Sequence, residues 1–114
     1  MKVTELHGAA LDWAVAKAEG LLSFGYDTDG ERFWVVLSTG ETEFFSPRLE
    51  WAQGGPIIER EGIAIYLYGD GEWQAVLEKE YEGPTPLVAA MRCFVASKLG
   101  EEVEVPEEVC DESL

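Results

Sequence analysis

Between Thr85 and Gly100 the chain has no acidic side chain, although 23 of its 114 residues are Asp or Glu. The run reads Thr85-Pro86-Leu87-Val88-Ala89-Ala90-Met91-Arg92-Cys93-Phe94-Val95-Ala96-Ser97-Lys98-Leu99-Gly100. Its ends carry helix punctuation: a threonine to cap the first N–H groups, a proline where no N–H is needed, and a glycine to stop the turn. A helix this apolar is predicted to lie in the interior, so the rest of the fold has to be built around it. Arg92, near its middle, sets a physical condition. A buried guanidinium needs a carboxylate, a carbonyl or a ligand anion. In so acidic a chain a structural ion pair is the first expectation for Arg92, and a ligand contact the second.

The opposite face of this helix is small (Ala89, Cys93, Ala96, Ser97), which suits close approach by another backbone, from this chain or from a second copy in a homodimer. Cys93 there reads as a packing thiol. A shorter helix is predicted from about Gly8 to Ala18, stopped by Gly20, with Leu11, Ala14, Val15 and Ala18 as its apolar stripe. Trp13 falls off that stripe, facing a second element or a cleft, and Asp12 reads as an exposed helix-face carboxylate.

Between the helices the pattern turns to β. Leu21 to Tyr26 and Arg32 to Ser38 flank Asp27-Thr28-Asp29-Gly30, a turn sequence, and read as a hairpin. Thr42 to Phe45 is a third strand. Ile63 to Tyr68 and Glu72 to Glu78 form a second hairpin around Gly69-Asp70-Gly71. In the stretch Trp51 to Gly62, Pro56 and Gly62 suggest one short helical turn. Residues 101–105 alternate in a way that permits a short edge strand, ended by Pro106. The fold class is therefore α+β: an antiparallel β-meander of about four to five strands packed against two α-helices, with residues 1–106 as a single domain and 107–114 as an acidic, frayed tail.

A formal charge of −15 argues against direct nucleic-acid or anionic-membrane binding, since phosphate recognition needs clustered Lys and Arg and the eight here are scattered. Solubility is the common reason for such charge; mimicry of a polyanion toward a basic protein is the other. Two cysteines without an apolar leader at Met1–Glu5, and no stretch of membrane-spanning length, predict a cytosolic protein with reduced thiols.

Catalytic chemistry finds little support. His7 is the sole histidine, so Cys93 and the serines lack a matched base, and the Cys/His clusters of a zinc site are absent. Asp27-Thr28-Asp29-Gly30 lacks the further ligands of a calcium loop. Gly54-Gly55-Pro56 offers backbone N–H groups but no Lys-Ser or Lys-Thr pair, and reads as a structural turn before it reads as an anion site. Trp51, beside these glycines, either anchors its loop or stacks on a flat ligand. No enzyme activity, cofactor or metal is expected.

Three segments in order resemble the NinX-like family of small phage proteins, named from the nin region of lambdoid phages. They are Ala10-Leu11-Asp12-Trp13-Ala14-Val15-Ala16-Lys17-Ala18-Glu19-Gly20, then Trp51-Ala52-Gln53-Gly54-Gly55-Pro56-Ile57-Ile58-Glu59-Arg60-Glu61-Gly62-Ile63, then Gly83-Pro84-Thr85-Pro86 through Ala89-Ala90-Met91-Arg92 to Leu99-Gly100 and Val105-Pro106. The resemblance implies a phage-encoded protein in the cytoplasm of an infected bacterium and brings no catalytic residue to any position. The expectation is a non-catalytic protein that binds or sequesters a small ligand, such as a nucleotide-like host signal. Its site is drawn from Trp13, Trp51, Gly54, Gly55, Arg60, Thr85 and Arg92, with arginines on phosphate and a tryptophan on the base. The alternative is an acidic inhibitor that covers the basic surface of a host nucleic-acid-binding protein.

Overall fold

The helix predicted from the acid-free run is the hub of the fold. In the computed structural model, which describes residues 1–21, 24–26, 33–36 and 39–106, helix α3 spans Pro86–Leu99. Thr85 caps it, its hydroxyl accepting from the Val88 N–H at 3.1 Å, and Gly100 ends it with φ 93°. Leu87, Ala89, Ala90, Met91, Cys93, Phe94 and Val95 are all buried. An alanine at Thr85 removes the cap while leaving the packing, and lowers stability by about 1 kcal/mol in chemical denaturation.

α3 packs against two other helices and one sheet. α1 (Gly8–Ala18) is buried on every side from Ala9 to Ala16, so it is a central helix, in which Trp13 as well as the apolar stripe faces neighbouring elements. Asp12 and Trp13 are accordingly inside: Asp12 is 1 % exposed, which corrects its reading as a solvent-facing carboxylate. The dense small residues Ala9, Ala10, Ala14 and Ala16 let neighbours approach from all directions, which an amphipathic-stripe argument does not anticipate.

The segment expected to hold one helical turn is a full helix, α2 (Trp51–Glu61), with Gly54, Gly55 and Pro56 inside it. Pro56 has no N–H to give to the turn before it, and two glycines lower intrinsic helicity, so tertiary packing must hold this helix. Gly54 is buried against α3; a Cβ there would stand 2.6 Å from Leu87 Cδ2 and 2.6 Å from the Pro47 carbonyl oxygen. Ile57 is buried below it. Gly62, left-handed at φ 72°, closes the helix, and both its N–H (2.9 Å) and that of buried Ile63 (3.1 Å) donate to the Ile58 carbonyl.

The α+β class holds, but the strands form two three-stranded antiparallel sheets among the described residues, not one meander. The first is β1 (Phe24–Tyr26), β2 (Phe33–Val36) and β3 (Thr42–Phe44); the second is β4 (Ala64–Tyr68), β5 (Glu72–Val76) and β6 (Glu80–Gly83). The turn expected at Asp27–Gly30 and the tail 107–114 lie outside the described residues. In the second sheet the register places Tyr66 opposite Gln74 and Gln74 opposite Glu82. Strand β6 went unpredicted because Glu80-Tyr81-Glu82-Gly83 is short and half acidic. Its alternate residues Tyr81 and Gly83 face inward, and Gly83 lies so close to α3 that a Cβ would stand 2.6 Å from the Ala89 nitrogen.

The expected C-terminal edge strand is a single antiparallel bridge, Lys2 to Glu102, and ties the two ends of the domain together. The N-terminal ammonium donates to the Val103 carbonyl at 2.8 Å, Val103 N–H to Met1, and Val3 N–H to Glu101. Val3 and Val103 are buried at this seam.

Candidate functional site

The residues expected to form a site are spread over the molecule. Trp13 is buried in α1 with the Lys17 ammonium 5.2 Å from its ring centre. Trp51 begins α2 and is 55 % exposed. Gly54 is a packing contact, Gly55 has open space where a Cβ would be, and both are helical rather than part of an anion-binding loop. Thr85 spends its hydroxyl on the cap of α3. Arg60 donates to Glu19 (2.6 Å) and Glu61 (2.9 Å), two carboxylates that hold it charged and raise its pKa. The cavity of about 440 Å³ that Arg92 lines has neither Arg60 nor Trp51 in its wall.

Arg92 itself answers the question its sequence position raised. Its Nε donates to the Leu6 carbonyl at 2.9 Å and its Nη1 to the Glu82 carbonyl at 2.7 Å, so main-chain oxygens and not a carboxylate hold it. Nη2 has no hydrogen-bond partner among the described residues. Burial pulls the guanidinium pKa down, and the charge of nearby Glu72 opposes that. The residue lines a cavity of about 440 Å³ with Thr4, Glu72, Gln74, Glu80 and Glu82.

The far wall of this cavity belongs to the outer face of the β4–β6 sheet, and it is tied together by side chains. Tyr66 hydrogen-bonds Gln74 and donates to Glu80 Oε2 at 2.9 Å, a contact that raises the phenol pKa. Gln74, 7 % exposed, donates from Nε2 to Glu82 Oε2 at 3.4 Å. A buried amide on an outward sheet face is explained by these neighbours closing over it. The result places three carboxylates and one guanidinium around one space. Sequence reasoning missed Glu72, Gln74, Glu80 and Glu82 because acidic residues are common throughout the chain. The available signal was the two-residue spacing of Glu72 and Gln74 and of Glu80 and Glu82, which puts all four on one face once the strands pair.

A second polar centre is structural in position. Asp12 accepts from Arg48 Nε at 2.8 Å and from the Arg48 main-chain N–H at 3.4 Å. Its pKa is pushed up to about 7, because burial disfavours the carboxylate more than Arg48 favours it. This pair fastens the turn before α2 to the central helix. Gln53 reinforces the same turn, accepting from Ser46 N–H (2.6 Å) and donating to the Phe44 carbonyl (2.7 Å). Asp12 is the one acidic residue between Glu5 and Glu19, a signal that its position was special.

Cys93 lies in a smaller cavity of about 220 Å³ with Lys79, Tyr81, Ser97 and Glu101. Burial pushes its thiol up to about 11, so it is protonated at neutral pH and packs as the sequence suggested.

A family model described as bacteriophage P22, NinX matches residues 2–98, most of the chain. A search of curated proteins gives no match. No helix among the described residues is long and apolar enough to cross a membrane.

Proposed function

The chain belongs to the bacteriophage P22 NinX family, and we propose that it serves the phage as a non-catalytic accessory protein in the host cytoplasm, binding a small ligand in the cavity beside Arg92. The observation that carries this reading is the way Arg92 is held. Two carbonyls fix its orientation without neutralising it, and it borders a space of about 440 Å³, within the size range of small-molecule sites. The two carbonyls occupy Nε and Nη1, and the remaining N–H donors of the guanidinium border the cavity, where they suit a ligand anion. Native mass spectrometry of the protein purified from infected cells tests this. A bound small molecule is expected on the wild type and absent from Arg92→Met; wild-type protein free of any ligand counts against the reading.

A second reading has its own support. The outer face of the β4–β6 sheet exposes Tyr66, Tyr68, Glu72, Glu80 and Glu82 together, and aromatic rings among carboxylates suit lysine and arginine side chains. In that reading the protein covers the basic surface of a host nucleic-acid-binding protein. Capture of such a partner from host lysate is expected to fall steeply between 50 and 500 mM salt (about a threefold shorter screening length) and to fall again in Glu80→Gln/Glu82→Gln. Capture that ignores both salt and the double substitution rules this reading out.

A further inference from the structure

We infer that the Arg92 cavity takes a compact zwitterion of the free α-amino-acid class, and not the nucleotide-like polyanion that the sequence suggested; this rests on the ligand-binding reading above. The charge arrangement is the reason. A polyphosphate needs several cations or N–H donors, whereas this cavity offers one guanidinium and the carboxylates of Glu72, Glu80 and Glu82. Arg60, the other arginine expected to help, is already paired with Glu19 and Glu61. A simple cation is poorly suited for the converse reason, since Arg92 would repel it.

A ligand with a carboxylate and an ammonium a few ångströms apart satisfies both signs. Its carboxylate accepts from Arg92 Nη2, which has no other partner among the described residues, and its ammonium donates to the glutamates. The surrounding structure is organised for this before any ligand arrives. Leu6 and Glu82 carbonyls aim the guanidinium, while Tyr66 and Gln74 restrain Glu80 and Glu82. Less ordering is then required on binding. Thr4 and Gln74 add neutral polar groups to the cavity lining.

Isothermal titration with the twenty L-amino acids, ADP and putrescine tests the inference. For each amino acid that binds, its methyl ester lacks the carboxylate charge and its N-acetyl derivative lacks the ammonium. The expected result is binding of one or more amino acids, weakened at least tenfold in both derivatives and in Arg92→Met. Arg92→Lys, which keeps the charge and serves as the check on folding by thermal unfolding, recovers part of the affinity. Glu72→Gln/Glu80→Gln weakens the amino acid at least threefold. Esters or putrescine binding as well as the parent amino acid, or ADP binding in place of it, overturns the zwitterion inference and leaves a ligand site standing. If nothing in the panel binds and the protein from infected cells carries no ligand, the site itself is refuted.

Discussion

Replacing Arg48 by methionine is expected to destabilise the protein across the neutral range, and by up to about 1.4 kcal/mol more at pH 8 than at pH 5, because the stranded Asp12 carboxyl takes up a proton that costs about one pH unit at pH 8. The cause is Asp12, 1 % exposed, with its pKa already pushed up to about 7 by burial against an ordinary value of 3.8. A raised acid pKa means the folded protein prefers the protonated form. Asp12 therefore contributes its full share of stability below pH 3.8, and that share is lost as pH rises through 7. A shift of about three units corresponds to roughly 4 kcal/mol across that window. Arg48 opposes the loss by stabilising the carboxylate, so removing it moves the Asp12 pKa higher still. At pH 5 the carboxyl is neutral in both proteins, and only packing and the hydrogen bond separate them. Urea denaturation of wild type, Arg48→Met and Asp12→Asn from pH 5 to 8 measures this. Asp12→Asn is expected to lack the Asp12 component of the pH slope. A penalty for Arg48→Met that is the same at both ends of the range contradicts the account.

The second large effect separates two adjacent glycines of α2. Gly54→Ala is expected to destabilise by about 1–3 kcal/mol, as overpacking does, although alanine is intrinsically the better helix former by about 1 kcal/mol. The new Cβ meets Leu87 Cδ2 and the Pro47 carbonyl oxygen, both at 2.6 Å. The leucine can rotate, but the carbonyl can move only by shifting the turn that Arg48 and Gln53 fasten. Gly55→Ala meets nothing within 4 Å and is expected to stabilise by roughly 0.5–1 kcal/mol. Opposite signs at neighbouring positions in thermal unfolding would establish that α2 exists because it packs on α3. Stabilisation by both would mean that propensity alone governs this helix.

These two cases mark where sequence reasoning reached and where it stopped. Helix α3 was readable to its ends because Thr85, Pro86 and Gly100 act locally, each satisfying or omitting main-chain hydrogen bonds within a few residues. The β4–β5 hairpin was readable for the same reason, through Gly69-Asp70-Gly71 and β-forming flanks. Helix α2 was not, because Gly54, Gly55 and Pro56 oppose it locally and its support comes from α3, more than thirty residues away in the chain. Burial of Asp12 was hidden for a related reason, since its partner Arg48 comes from a turn 36 residues on.

The candidate site follows the same division. Arg92 could be singled out because an arginine in an apolar helix is a local anomaly. The carboxylates that face it could not, since nothing local distinguishes Glu72, Glu80 or Glu82 from the other acids until strand pairing puts them beside it.

The sequence by itself determined the α+β class, the position and ends of α3, and the demand that Arg92 find a partner. Those rest on local hydrogen bonding, side-chain periodicity and the cost of burying charge. Only the tertiary structure decided that the demand is met by the Leu6 and Glu82 carbonyls, that Arg60 is occupied elsewhere, and that Asp12 lies in the interior. Each of those outcomes depends on which distant segments meet, and that is set by the packing of α1, α2 and the second sheet around α3.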